Sequence, residues 1–327
     1  MDSMGYAKTF NSDKSLLPDI VHHFKQIPEA YIHGQNHDQP MRHPGAIFNI
    51  SFREVNIAIA STLDALDEYI KDIKNEEKRD RLLLFKKILY NEICSFYDEC
   101  YMILIALCPP APIKGGFAYE WLQQNGYKSG DTFKSSSADL VKRYQMINNR
   151  LKHNNQRLSA LSVTIRDLNI VIPSFYVEGV ERGGTICPDV TIHQPFNGVS
   201  SAISFNYSIR MIFYLVYILS DKLLDTIKKD LKNRHAFKFP AKAYVKHDAL
   251  TESNWIRICN LPSYFLPNEY GMDLPLAERQ NNLFKLIYPR TLSAPLGSGM
   301  LSLSGYTTGD GYSKSFGFPY SKVEKQQ

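Results

Sequence analysis

The sequence predicts a mainly α fold: a helical bundle with a small antiparallel β insertion after its third long helix, followed by an irregular C-terminal extension. Three observations predict it. Apolar residues recur at helical spacing over long stretches near 52–69, 81–107 and 204–231. A β-branched alternation interrupts that period between about 161 and 195. Prolines and glycines crowd both ends of the chain, where long helices cannot persist. With 327 residues the chain can bury a large core as one domain with extensions or as two. The expected divisions are an N-terminal arm over 1–50, a bundle over 51–235 and an extension over 236–327.

In the arm, Pro18, Pro28, Pro40 and Pro44 exclude long helices, and the stretch is expected to drape over the bundle. His22, His23, His33, His37 and His43 gather there, which raises a metal site as an alternative. They lack the accompanying cysteines and fixed spacing of zinc ligands, so no metal is expected. The first bundle helix follows, with Val55, Ile59, Leu63, Leu66 and Ile70 on one side. The charged segment 71–81 is expected to carry a turn or to let the helix run on with a fully wet surface. A second helix then runs to Leu107, where Pro109, Pro110 and Pro112 stop it, so the pair reads as an antiparallel hairpin. Its acidic residues Glu92, Asp98 and Glu99 are expected either to face a basic third helix or to lie on the surface. Gly115 and Gly116 lack the lysine and serine or threonine of a P-loop. A short helical or coil insert is expected over Phe117–Gln124, a polar loop over Lys128–Ser137, and the third helix from about Ser137.

That third helix ends in Gln145-Met-Ile-Asn-Asn-Arg-Leu-Lys-His-Asn-Asn-Gln-Arg157, the most informative stretch of the chain. Asn149, Arg150, His153 and Arg157 lie three or four residues apart and share one face. Leu140, Tyr144, Ile147, Leu151 and Leu158 form a separate apolar set. The helix can therefore bury one side and offer a cationic side carrying one histidine, chemistry that suits a phosphate-bearing partner. A solvated surface face would show the same charge run.

Asn149-Arg150-Leu151-Lys152-His153-Asn154, at the end of a helix in a helical module, resembles the histidine-containing motif of HEPN domains. The resemblance covers roughly residues 50 to 235. It implies a helical bundle that acts on RNA, often as a homodimer and often as a metal-independent ribonuclease of bacterial toxin or antiviral systems. His153 matches the family's histidine and Asn149 its polar position. Met146, Ile147 and Asn148 stand where the family carries its arginine, so Arg150 becomes the nearest charge partner. In the implied reaction His153 assists attack of a ribose 2′-hydroxyl, an arginine steadies the phosphorane, and no cofactor is needed. Arg143, Lys152 and Arg157 are expected to contact the RNA backbone.

Beyond this stretch, strands are expected at Leu161–Ile172, Phe175–Val180 and Cys187–His193, with Glu181-Arg-Gly-Gly184 as a hairpin turn. His193 reads as a structural histidine or a second site histidine. Helix returns at Ser204–Leu231, broadly apolar through Ile212, Phe213, Val216 and Leu223, and it needs a core or a dimer seam to cover it. Past Lys232 and Arg234, Lys238 and Lys242 interleave with Phe237, Phe239 and Tyr244. That pattern suits single-stranded nucleic acid or an ordinary helix end. Trp255, Ile256 and Ile258 suggest a strand, Leu276–Leu286 a short helix, and the Gly/Ser-rich 293–319 a tail that is flexible or packs on a partner.

The net charge of +5 permits nucleic-acid binding without demanding it. Five cysteines without close pairs suggest reduced thiols in a cytoplasm, and the first residues do not read as a signal peptide. No apolar run approaches the ~20 residues of a membrane span. The expected function is RNA binding with possible ribonuclease activity; the alternative is a non-catalytic helical adaptor that assembles with itself or with a partner protein.

Overall fold

The structure is a computed structural model that describes residues 5–111, 116–154, 156–165, 170–180, 186–196, 201–270, 272–290 and 301–305. The helices are α1 (Val21–Phe24), α2 (Pro44–Lys71), α3 (Glu76–Ala106), α4 (Ala118–Gln124), α5 (Lys128–His153), α6 (Phe205–His235) and α7 (Ala249–Asn260). The strands are β1 (Tyr6–Asn11), β2 (Leu158–Ile165), β3 (Ile170–Val180), β4 (Ile186–Pro188), β5 (Ile203–Ser204), β6 (Leu274–Gln280), β7 (Leu283–Arg290) and β8 (Leu301–Gly305). The fold is mainly α with two small antiparallel sheets.

The long helices α2, α3 and α6 each start where the sequence supplies a side-chain cap. His43 Nδ1 accepts from the Gly45 amide at 3.0 Å with Pro44 in the first turn of α2, and Asn75 accepts from the Lys78 amide at 3.0 Å to open α3. Ser204 accepts from the Tyr207 amide at 3.2 Å to open α6. The Thr62 hydroxyl donates to the Phe85 carbonyl at 3.4 Å, and Arg81 bridges to Glu68 at 2.7 Å. These pairings rise along α2 as they fall along α3, so the two helices are an antiparallel hairpin. The third helix is longer than its sequence suggests: 128–137 is its opening rather than a loop. Phe133 and Ser137 are buried there, and the Ser137 hydroxyl turns back onto the Phe133 carbonyl at 2.6 Å, satisfying a polar group inside the bundle. Gly126, at φ +75°, supplies the left-handed turn that separates α4 from α5.

One sheet has the order β1-β7-β6, and the other β4-β3-β2-β8 with β5 also paired to β3. Apart from β8, the second sheet is formed by strands between α5 and α6 in sequence, with bounds that differ from those expected: Leu161–Ile172 is divided between β2 and β3, β3 runs on through Phe175–Val180, and the last expected strand stops early. Cys187–His193 is strand only to Pro188, after which Asp189 and Thr191 turn the chain. The expected hairpin turn Glu181–Gly184 lies outside the described residues, as does most of the 293–319 tail. Within that tail β8 pairs with β2, Leu301 opposite Ile165 and Gly305 opposite Leu161.

Two expectations in the extension are corrected. Trp255, Ile256 and Ile258 form helix α7, because Asp248 caps the Thr251 amide at 2.8 Å and Thr251, Trp255 and Ile258 then bury one helical face. Leu276–Leu286 is the β6–β7 hairpin rather than a helix. Its two-residue loop has Asn281 at φ +54°, and Leu274, Phe284 and Leu286 are buried at alternating positions. The Trp255 indole donates to Tyr217 Oη at 2.6 Å and to the Leu16 carbonyl at 3.2 Å. Its ring is surrounded by Phe10, Phe213 and Phe284, so arm, bundle and extension share one apolar core. The apolar face of α6 is spent in that core.

Four of the five arm histidines, His22, His23, His37 and His43, are engaged in separate side-chain bonds. His22 Nδ1 accepts from the Val245 amide at 3.0 Å, His23 bonds Gln26 at 2.8 Å, and His37 bonds the Cys108 carbonyl at 3.0 Å. Among the described residues no three His, Cys, Asp or Glu side chains are grouped to hold a metal ion. No described helix is long and apolar enough to cross a membrane.

Candidate nucleic-acid interface

Helix α5 packs Phe133, Val141, Tyr144, Ile147 and Leu151 inward at steps of three, four or eight residues. What remains outward follows from that period. Lys142, Asn149, Lys152 and His153 are exposed, while Arg143, Met146 and Arg150 are half-buried along the edge that meets the β4–β5 connection. The predicted stripe is therefore a real outer edge of the bundle, extended upstream to Lys142. Between Lys142 and His153 it covers about 16 Å at the helical rise of ~1.5 Å per residue.

One end of the edge opens into a cleft of about 470 Å³, lined by Asp139, Lys142, Arg143, Met146, Thr191 and Ile192 among others. A guanidinium nitrogen of Arg143 donates to the Ile192 carbonyl at 3.2 Å, which holds the side chain against the cleft wall. The other end is fixed by Asp189, a residue that sequence reasoning missed. Asp189 Oδ1 accepts from the Thr191 amide at 2.9 Å and its hydroxyl at 2.6 Å, while Oδ2 accepts from Gln156 at 3.1 Å. Arg150 Nε stands 3.7 Å from the same Oδ2, an ion-pair distance longer than a hydrogen bond. Burial raises the affinity of Asp189 for a proton, but the Thr191 and Gln156 bonds and Arg150 outweigh it and leave the carboxyl below its ordinary range. The sequence did carry one signal: Asp189 followed by Thr191 is an Asx-turn pattern.

Gly179 lets that turn come close. A Cβ there would lie 2.9 Å from Asp189 Cα, so the turn carrying Asp189 can lie against β3 only because position 179 has no side chain. His193 lies beneath the same turn and is buried. Its Nε2 accepts from the Val177 amide at 2.8 Å, and burial with the nearby Arg143 pushes the imidazole down to about 3. It is a structural histidine that binds β3 to the turn.

The remaining predicted residues separate into those on this edge and those away from it. Asn149, Lys152 and His153 are on it, and Arg157 is exposed just beyond, at the start of β2. Of the acidic residues on α3, Asp98 has Lys152 nearby, whereas Glu92 and Glu99 turn into a groove between α2 and α3. Lys238 and Lys242 follow the end of α6. There Arg234 donates to the Leu107 carbonyl at 2.9 Å and Tyr127 to the Pro109 carbonyl at 2.8 Å, which places that end beside the start of α5. His153 is a full α5 length away, about 38 Å. Lys242 is also bonded to Asp19, with its ammonium 4.9 Å from the Tyr244 ring centre.

An anionic polymer lying along α5 would meet Lys142 and Arg143 at the cleft, then Asn149 and Arg150, then Lys152 and His153. Compared with protein-family models, with characterised proteins and with solved structures, the chain matches none.

Proposed function

We propose that the protein binds RNA along the outer edge of α5 and that His153 serves as general base in a metal-independent cleavage. The single observation that carries this reading is the ordered exposure of Lys142, Asn149, Lys152 and His153 beside half-buried Arg143 and Arg150, leading away from an open cleft. Cations in such a row attract successive phosphates and release their counterions. His153, on the solvent side, is accessible to a ribose 2′-hydroxyl. It takes that proton as the oxygen attacks the neighbouring phosphorus, and the 5′-oxygen leaves. Arg150, held near Asp189 without a direct hydrogen bond, keeps guanidinium donors for the phosphorane charge. Asn149 orients the strand. The HEPN-like motif supports the same reading and with it a role in a bacterial toxin or antiviral system, where a homodimer would set two such edges face to face.

Binding of a single-stranded RNA should weaken with salt, by a slope of about 0.7 per phosphate contacted, and the double substitution Lys142→Ala/Arg143→Ala should flatten that slope. Cleavage in the presence of chelator should vanish in His153→Ala. Salt-independent binding would remove the phosphate contacts from the proposal, and equal cleavage by both proteins would remove His153.

A non-catalytic adaptor is the second reading, favoured by the outer face of the α2–α3 hairpin. Ile50 and Ile57 on α2 and Leu84 and Ile88 on α3 are exposed there. An adaptor would assemble with itself or a partner protein and show no salt-dependent affinity for RNA.

A further inference from the structure

A second cleft, of about 590 Å³, lies between α6, the end of α7 and the β6–β7 hairpin, and shares no lining residue with the α5 cleft. Its walls carry Arg210, Arg279, Lys285 and Glu278. In the hairpin register Glu278 stands directly opposite Lys285, so those two charges offset each other and the guanidiniums of Arg210 and Arg279 are the surplus.

Arg210 is the unusual member. It is only 2% exposed, and one terminal nitrogen bonds the Leu261 carbonyl while Nε is buried with no partner. Its guanidinium carbon lies 5.9 Å from the Phe265 ring centre. Burial lowers its pKa to about 10, which still leaves it cationic at neutral pH. A buried cation with an unmet donor in a cleft wall is costly unless something anionic meets it. Arg279 comes from a different element and is exposed, with Nε donating to the Asn281 carbonyl at 3.2 Å. Both arginines line this cleft from different elements, beside Cys259, whose thiol burial drives up to about 11 while Arg210 and Arg279 lower it and Glu278 raises it.

We propose that this cleft binds the phosphate group of a small phosphomonoester of about mononucleotide size. Two guanidiniums in the wall of one cleft, one of them buried with an unmet donor, match a single dianionic group better than two separated carboxylates. The Ser263 side chain is a further polar group in the lining. The volume falls within the range of small-molecule sites and exceeds what inorganic phosphate fills, and Leu276, Ala277 and Leu283 supply apolar wall for the rest of the ligand.

The test uses the full chain, at constant ionic strength set with sodium chloride. Calorimetric titration with adenosine 5′-monophosphate, inorganic phosphate and succinate is combined with alkylation of Cys259 by iodoacetamide, read by mass spectrometry. Adenosine monophosphate should bind saturably and slow Cys259 alkylation, with phosphate weaker and succinate weakest. Arg279→Ala, at an exposed strand position, should unfold like the parent without ligand yet bind adenosine monophosphate about tenfold or more weakly, the loss expected for one charge-assisted contact. Lys142→Ala/Arg143→Ala should bind it as the parent does, which separates this cleft from the RNA edge. The proposal is overturned by no saturable binding of either phosphate probe, by unchanged binding in Arg279→Ala, or by succinate binding as tightly as the nucleotide.

Discussion

Replacing Lys86 by methionine should stabilise this protein, although the substitution removes a charge and adds no contact. Lys86 lies on α3, fully buried, with its amine 4.7 Å from the Tyr90 ring centre and 5.4 Å from that of Phe175. No acceptor reaches Nζ, and burial drives its pKa well below the ordinary lysine range. The sign follows from proton counting. The folded amine sheds its proton and the unfolded one keeps it, so the unfolded state binds more protons and stability rises with pH up to about 10.4. Each pH unit between the folded and unfolded pKa values is worth about 1.4 kcal/mol. Methionine has a similar length and no proton to lose. With an unmet buried polar group costing about 1–3 kcal/mol, Lys86→Met should gain about that much, or roughly 2–4 °C in Tm from an unfolding entropy of ~2.1 cal/mol/K per residue. Denaturant titrations of both proteins from pH 6 to pH 9 measure the gap, which should narrow as pH rises. A gain below about 1 kcal/mol at pH 7, against the 1–3 kcal/mol typical of an unmet buried polar group, or a gap that stays constant with pH, would refute the neutral, unpartnered amine.

Two further outcomes follow from the site. Asp189→Ala should cost about 1–3 kcal/mol in chemical denaturation, because the Thr191 amide and hydroxyl and Gln156 lose their acceptor; it should also tighten RNA binding at low salt, since Arg150 no longer faces a carboxylate. Acid should destabilise the fold through His22 and His193, held down to about 4 and about 3 mainly by burial. Both are neutral when folded and protonated when unfolded, so stability present at pH 7 is lost as pH falls from about 6.5 toward those values, by up to about 1.4 kcal/mol per unit for each; the drop should be shallower in His22→Gln when unfolding is followed from pH 7 to pH 4.

The bundle was legible because its apolar residues keep a 3.6 period over many turns, and a long periodic signal survives local noise. The extension was not. Trp255 and Ile258 sit three apart in a short segment, and only the Asp248 cap separates helix from strand there. The β6–β7 hairpin was missed because its apolar positions also suit a helix, and its turn is Asn-Asn rather than a glycine pair. Within the site, the α5 edge was visible from spacing alone. The first turns of α5 were hidden by the serines and glycine of 128–137, whose low helix propensity is overridden by burial of Phe133 and Ser137 against α3. The Arg210 cleft gave no sequence signal, since its residues are scattered between 210 and 285.

Asp189 shows how closely fold and proposed chemistry are joined in this chain. Its carboxylate is 3.7 Å from Arg150, the arginine nearest to His153 in sequence, so the group that anchors the last turns of α5 to the sheet also competes with any phosphate for the same guanidinium. The Thr191 and Gln156 bonds keep Asp189 ionised whether or not Arg150 stays, because they stabilise the charged form independently. Arg150 can therefore turn from Asp189 toward a bound phosphate without stranding a buried, bare carboxylate. The exchange replaces one ion pair by another and is small in net energy, whereas deleting either partner is not. A cation held by a carboxylate that does not depend on it is pre-positioned and still free to move, which the proposed binding and release of a polyanion requires.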